Sequence, residues 1–529
     1  MKKLSKLLAL LLLGTGLITA QPSFAADSNN VWFNDLKSKF VSNRAIILAI
    51  NIRSFNALDK NGDDIIQPDK GDIQGNFVNA VTRLDELKTF GINTIHILPF
   101  TPTGKVKALG TAGSLYAISD FTKIDPMLDD PSNELTVEQE AKNFINECHK
   151  RDIRVIVDLP SCGSYDLYLA KPELFIKGAD GNPITPFDWT DVRVFKSAND
   201  DGSINDDLYN EYKAYIDMVQ KLGADGIRAD VATSKPAAFW KNLIAYAKSK
   251  DPEFLFLAEA SEVWNEPLAK NAQFTPYHEL LDIGFDGWYG SFFNFKNWKT
   301  QDEFAKNLCL LKDTQASYKS HKTPKAVIGS FATHDEVSPI VTGGIPFAQE
   351  IIWLQATLPV NSYFVDGFQT GDAYNYKYGN KKAQESYTDD NVYFVHKGKF
   401  DIFNLSRKPG AANSKLIYDF VVANQFKEKA ADIINNGEYT FLNTNNKNVF
   451  SYIVTRNYSS ILVILNKDLS YSQAATVHIK DFKANDIIVP IAFTSTPSVE
   501  KNKVKADLMP GEIVVFMISR SAEPAKHKK

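Results

Sequence analysis

Cysteine is scarce in this chain: Cys148, Cys162 and Cys309 are the only three among 529 residues. An odd number without tight spacing allows one bridge at most, which excludes a disulfide scaffold, and the spacing fits no zinc site. An excess of charge of one sign is missing too, with 59 Lys and Arg against 63 Asp and Glu, a net charge of −4. Such a mildly acidic balance exerts no electrostatic pull toward nucleic acid or an anionic membrane. Internal repeats and long low-complexity stretches are absent. Apolar residues make up 44% and charged residues 23%, the ordinary balance of a globular protein with its own core. Aromatic residues are plentiful at 12%, with 21 Tyr and 35 Phe. That stock serves packed cores first and ring-stacking surfaces second.

The leucine-rich run in MKKLSKLLALLLLGTGLITAQPSFA is short for a membrane span. Lysines precede it and small residues follow, so residues 1–25 read as a secretory signal peptide cleaved near Ala25. The expectation is an exported protein, periplasmic or extracellular, with no membrane attachment after cleavage. From about residue 45 to 366, apolar β-prone runs alternate with longer helical patterns. The runs are AIILAINI, TIHILPF, VIVDLP, DGIRADV, FLFLAEA, FDGWYGSF, AVIGSFAT and SYFVDG. NAVTRLDELKTFG and NEYKAYIDMVQKLGADG show i, i+3, i+4 apolar spacing and stop at glycine. Eight strands mostly separated by helices predict an α/β fold, a closed (β/α)8 TIM barrel.

The barrel is expected over residues 40–158 and 206–428. A connection rich in Pro, Gly, Asp and Asn, residues 159–205, predicts a small subdomain inserted after the third strand and walling one side of a cleft. Short alternating segments over 430–520 predict a C-terminal antiparallel β-sandwich. Residues 521–529 read as a disordered tail.

Four carboxylates follow apolar strand-like runs: Asp158 in VIVDLPSCG, Asp230 in DGIRADVA, Glu259 in FLFLAEA and Asp335 in FATHDE. In a parallel barrel the carboxyl ends of the strands form one face, and that face carries the chemistry. Arg228 lies two residues before Asp230 and so points the same way; its charge keeps a carboxylate ionised, as a nucleophile requires. Glu259 ends an almost wholly apolar strand, where desolvation favours the protonated form that a general acid needs. Asp335 beside His334 suits sugar hydroxyls and the charge of an oxocarbenium-like transition state. Together these groups are the parts of a retaining glycosidase. Singly, each acid reads more readily as a structural ion pair or a strand-end cap; the four in order, with these neighbours, are what point to chemistry.

The four segments resemble the signature regions of the α-amylase family of glycoside hydrolases, family 13. The resemblance extends to GSLYAISDFTKIDP, DKNGDD and TLPVNSYFVDG and spans roughly residues 40 to 520. It implies Asp230 as nucleophile, Glu259 as acid/base and Asp335 as transition-state stabiliser. By the same resemblance Arg228 orients the nucleophile, His334 binds hydroxyls, Tyr116 stacks under the sugar, and the partner is an α-glucan. Two positions depart from the pattern. Where the first region usually carries Asn-His, this chain has Cys162-Gly163, and Thr233-Ser234 stands where many amylases carry Lys-His. Calcium between barrel and subdomain is thereby put in doubt, and sugar contacts near the cleavage point are fewer.

A second cation candidate lies in Asp59-Lys-Asn61-Gly-Asp63-Asp-Ile65, with Asp69 or Asp72 closing the shell. Oxygen donors at alternating positions match the start of a calcium loop, although the glycine and the missing twelfth-position Glu rule out an EF-hand. The same pattern is also that of a solvated turn. Phe187 with Trp189, and Trp288 with Tyr289, are sugar platforms or packing. The leading expectation is hydrolysis of α-1,4-linked glucans by double displacement. A 4-α-glucanotransferase shares that chemistry, and a non-catalytic glucan-binding homologue is the remaining alternative. Oligomeric state is not readable from the sequence.

Overall fold

A computed structural model describes residues 32–520 except 59, 61–67, 109–113, 188, 337, 373–412, 481–485, 493–496 and 501. Residues 1–25 and 521–529 lie outside the described residues, as do Asp59, Asn61, Asp63 and Ile65.

The strands in chain order begin with β1 (Ile46–Ile50), β2 (Thr94–Ile97), β3 (Arg154–Leu159), β4 (Cys162–Ser164) and β5 (Val192–Val194). They continue with β6 (Gly226–Ala229), β7 (Leu255–Ala258), β8 (Gly287–Trp288), β9 (Ala326–Val327) and β10 (Ser362–Val365). Eight of these form one parallel sheet in the order β10-β1-β2-β3-β6-β7-β8-β9. Every residue of these eight strands is buried, because helices cover one face and the barrel interior the other. The two ends of the sheet meet at Asn361, whose carbonyl accepts from Gly329 N at 2.7 Å and whose N–H donates to Val327 O at 2.9 Å. This parallel contact, Ile328 opposite Asn361, closes the barrel. The predicted barrel is therefore the observed one.

Two hydrophobic layers result. Ile47, Ala49, Ile156, Leu255, Leu257 and Val365 fill the inside of the barrel, with Leu36 and Phe40 of the helix Leu36–Val41 packed into the same cluster. The larger cluster lies between strands and helices and includes Phe144, Tyr212, Trp240 and Trp353. The helix Asp206–Leu222 shows how local sequence sets these elements. Asn205 caps its start by accepting from Asp207 N and Leu208 N, and Gly223 ends it in the left-handed conformation at φ +100°.

Residues between β3 and β6 form the inserted subdomain, built on the antiparallel pair β4–β5. At the C-terminus, β11 (Glu438–Phe441), β12 (Val449–Arg456), β13 (Ser459–Asn466), β14 (Gln473–His478) and β15 (Ile487–Ala492) are followed by β16 (Ser498–Glu500), β17 (Lys503–Leu508) and β18 (Ile513–Ser519). They make a five-stranded sheet, β11-β12-β13-β18-β15, and a three-stranded sheet, β14-β17-β16. Leu462, Ile464 and Phe516 of the first sheet share a core with Val477, Val504 and Leu508 of the second. The sandwich is docked on the barrel by Phe304 against Phe441, Phe450 and Tyr452 and by polar ties. Ser451 N donates to Gln301 Oε1 at 2.6 Å, and the Tyr452 and Thr357 hydroxyls lie 2.6 Å apart.

The three cysteines are free, two buried and Cys309 exposed. Among the described residues no helix is long and apolar enough to cross a membrane.

Candidate active site

Three of the four carboxylates sit where their strands end. Asp158 lies within β3, while Asp230 and Glu259 each follow the last residue of β6 and β7. Asp335 is displaced: it lies in the loop that follows β9, eight residues beyond Val327, and not at a strand end.

Arg228 is the hub. Its side chain is 1% exposed, so its charge has to be met by protein groups. Nη1 contacts Asp158 Oδ1 at 2.8 Å and Asp230 Oδ1 at 2.9 Å, and Nη2 contacts Glu259 Oε1 at 2.6 Å. Nε donates to the Tyr289 hydroxyl at 3.0 Å. One guanidinium fork thus fixes three acids, geometry that a lysine cannot supply.

Asp158 is fully buried. Burial pushes its carboxyl up, but Arg228 and then His96 outweigh it and hold the group below the usual carboxylate range. His96 Nε2 lies 3.2 Å from Asp158 Oδ2, while its Nδ1 is 2.9 Å from the Tyr363 hydroxyl. The Tyr116 hydroxyl donates to Asp158 Oδ2 at 2.8 Å and lies 2.7 Å from His334 Nε2. The Tyr116 and His334 rings are nearly parallel, with centroids 5.9 Å apart. His334 Nε2 is 3.7 Å from Asp335 Oδ2. All six predicted catalytic and sugar-binding residues are therefore brought together around the mouth of the barrel.

Glu259 behaves differently from Asp158. Burial raises its carboxyl well above the usual range; Arg228 opposes this, and the charges of Asp230 and Asp335 add to it. Oε2 also accepts from Val231 N at 2.6 Å. The two contacts favour the ionised form, burial and the neighbouring acids the protonated one, and we place the balance on the raised side. Burial likewise pushes Asp335 up to about 7, against Arg228 and with help from Glu336 and Asp230. Burial is the larger source of both shifts, and the neighbouring carboxylates add to it.

A cleft of about 610 Å³ opens over this cluster. Its floor carries Tyr116, Asp230, Glu259 and Asp335. Phe187, Trp189 and Val192 of the subdomain and Val263, Trp264 and Leu268 of the loop after β7 also line it, Leu268 packing in one cluster with Val192 and Trp189. Phe187 is 54% exposed and holds φ +45°, a strained backbone for a bulky residue. Its ring meets Trp189 edge-on at 5.5 Å. The second aromatic pair is not a platform. Trp288 and Tyr289 are buried; Trp288 Nε1 donates to Glu262, and Tyr289 supports Arg228.

The two departures from the family pattern have a packing basis. A Cβ on Gly163 would lie 2.7 Å from Phe175 Cζ and 2.8 Å from Phe195 Cε1, so these rings fill the direction a histidine would take. Cys162 is buried with Val192, Val194 and Leu268, and burial pushes its thiol up to about 12. Next to it Lys235 Nζ donates to the Ser161 carbonyl at 3.1 Å. Ser161 and His96 are partners of the acids that sequence pattern does not single out.

Of the predicted cation ligands Asp69 and the alternative Asp72 are described; Asp69 is exposed in the turn Pro68–Lys70. Asp72 is buried and accepts from Lys60 N at 2.8 Å, while Leu58 pairs with Ile73 and ties the loop's ends together. No cluster of three His, Cys, Asp or Glu able to hold a metal occurs among the described residues.

The comparisons with known proteins can be set beside this geometry. Residues 49–161 match the family model described as "Alpha amylase, catalytic domain". The chain resembles the α-amylase family. The α-amylase-like chain is 29% identical over 210 residues to an alpha-1,4-glucan:maltose-1-phosphate maltosyltransferase of Bifidobacterium animalis subsp. lactis, covering 36% of this chain and 27% of that protein. It is 27% identical over 277 residues to alpha-amylase 2 of Dictyoglomus thermophilum, covering 51% of this chain and 45% of that one. It thus spans between a quarter and a half of the length of these two relatives. Among solved structures, an alpha-amylase from Lactobacillus plantarum superposes with a TM-score of 0.66 at 18% identity, covering 90% of this chain and 99% of that one. That likeness is one of fold.

Proposed function

We propose that this chain is an α-amylase-like enzyme that cleaves α-1,4-linked glucans by double displacement with retention. One observation carries the reading: a single buried guanidinium spans Asp230 and Glu259 on the floor of a cleft. That keeps the two carboxylates close, as retention requires, whereas inversion needs a wider gap to admit water. Asp230 attacks the anomeric carbon while Glu259 gives its proton to the departing glycosidic oxygen. In the second step Glu259 takes a proton from water, the water oxygen bonds to the anomeric carbon, and Asp230 leaves with the electron pair of the ester bond. Glu259, whose carboxyl burial raises, suits the donation of the proton in the first step. Asp335 and His334 are placed to hold hydroxyls of the sugar, and Tyr116 to lie beneath it.

A second reading, 4-α-glucanotransfer, has a specific ground: one relative is named a maltosyltransferase, and a sugar hydroxyl replaces water in the second step without other change. Product analysis on maltoheptaose and soluble starch separates the two. Hydrolysis releases new reducing ends, first as α-anomers by NMR. Transfer gives longer chains without net new reducing ends, and initial β-anomers would overturn retention. In the same proposal residues 1–25 direct export, and calcium binds the loop after β1 through Asp59, Asn61, Asp63, Ile65 and Asp69. N-terminal sequencing of the exported protein is expected to begin at Ala26. A chelator is expected to lower Tm, and an unchanged Tm would remove the calcium.

A further inference from the structure

The carboxylate of Asp230 is held at both oxygens, by Arg228 at one and by Ser161 at the other. Oδ1 accepts from Arg228 Nη1 at 2.9 Å. Oδ2 accepts twice from one residue, from Ser161 N at 2.9 Å and from Ser161 Oγ at 2.6 Å. Ser161 is 2% exposed, in the tight connection between β3 and β4, so water does not compete for these bonds. Its peptide is fixed from behind as well, because its carbonyl accepts from Lys235 Nζ at 3.1 Å. Lys235 is itself buried, its ammonium 5.1 Å from the Tyr212 ring and 5.6 Å from the Phe195 ring. Ser161 thus stands between a buried ammonium and the candidate nucleophile, with both of its donors turned to the latter.

The structure assigns to Ser161 the role of a positioning residue that holds Asp230 in place and favours its departure from the glycosyl-enzyme ester. The inference rests on the reading of Asp230 as nucleophile. Hydrogen bonds to an ionised oxygen are stronger than those to a neutral one. The Ser161 pair therefore loses strength when Asp230 bonds to the anomeric carbon and regains it as that carbon–oxygen bond breaks. The gain falls in the second step, when water or a sugar hydroxyl bonds to the anomeric carbon, Glu259 takes its proton, and Asp230 leaves as the carboxylate.

The test uses an aryl α-maltoside, whose aryloxide departs easily, so that the second step limits turnover. Ser161→Ala removes the hydroxyl and keeps the N–H; Ser161→Thr keeps both. In Ser161→Ala the second step is expected to slow about tenfold, the scale of one hydrogen bond to a charged group. Rapid mixing should then show a burst of one aryloxide per enzyme, mass spectrometry the accumulated ester, and KM should fall with kcat so that kcat/KM changes less. Ser161→Thr should restore wild-type behaviour. An Ala variant whose kcat equals that of wild type overturns the assignment. So does a variant that loses kcat/KM as much as kcat and is not rescued by Thr, which marks a merely structural residue. If wild type turns over the substrate and only these signatures are missing, the inference alone falls. Wild type silent on both the aryl maltoside and α-glucans removes the proposed function and the inference with it.

Discussion

Asp230→Asn is expected to lower turnover of maltoheptaose by about four to six orders of magnitude, the scale seen when a covalent nucleophile is removed. The amide is isosteric but cannot form the ester. It also leaves one of the donors from Ser161 and Arg228 without an acceptor, a cost of about 1 kcal/mol that leaves the fold standing. The substitution acts on its neighbours too. The charge of Asp230 helps to raise both Glu259 and Asp335, so its loss should bring both carboxyls down toward their ordinary values. The acid would then be less protonated at neutral pH, a second handicap of known sign. Asp230→Gly offers a positive control. Azide admitted to the space can attack the anomeric carbon of an aryl α-maltoside as aryloxide leaves, giving the β-glycosyl azide. An Asn variant that keeps more than about 1% of turnover, or a Gly variant that yields only the α-azide, would show that another group attacks.

Why these residues could be found at all has a simple physical reason. Parallel barrel strands are buried on both faces, so they read as unbroken apolar runs, and the polar residue that ends such a run lies at the mouth of the barrel. Asp158, Asp230 and Glu259 were legible on that ground. Asp335 was read on the same ground, but β9 ends at Val327 and the acid reaches the site on a loop. His96 is one polar residue inside TIHI, and nothing local tells that closure of the barrel sets it against Asp158. Ser161 and Lys235 meet through a turn and a loop far apart in sequence. For Trp288 and Tyr289 the choice between sugar platform and packing stayed open, because composition carries no information on burial, and the structure buries both. In the sandwich, β17 shows the alternation expected of such a strand, with Val504, Ala506 and Leu508 inward and Lys503, Lys505 and Asp507 outward.

Arg228→Met should do the widest damage of any single change at this site. Methionine approximates the stem of arginine but removes the charge that four acids share. Asp158 is the critical partner: it is fully buried, and without Arg228 it retains only His96 and the Tyr116 hydroxyl. Breaking a buried ion pair from one side costs about 3–5 kcal/mol, because the other charge is left without compensation. The loss should appear as a lower denaturation midpoint, largest at neutral and alkaline pH. It should shrink as pH falls and Asp158 takes up a proton, since its carboxyl is no longer held below the usual range. Activity should fall with it, as Asp230 and Glu259 lose their common tether. Adding Asp158→Asn separates the two effects. If the uncompensated charge is what destabilises, the double variant recovers much of the stability of wild type while remaining inactive. Recovery of neither would mean that Arg228 acts mainly by packing against Tyr116 and Tyr289, whose rings lie 5.6 and 5.4 Å away. Recovery of activity along with stability would mean that the tether to Asp230 and Glu259 is dispensable, and the assignment of Arg228 as the residue that aligns the acids would fail.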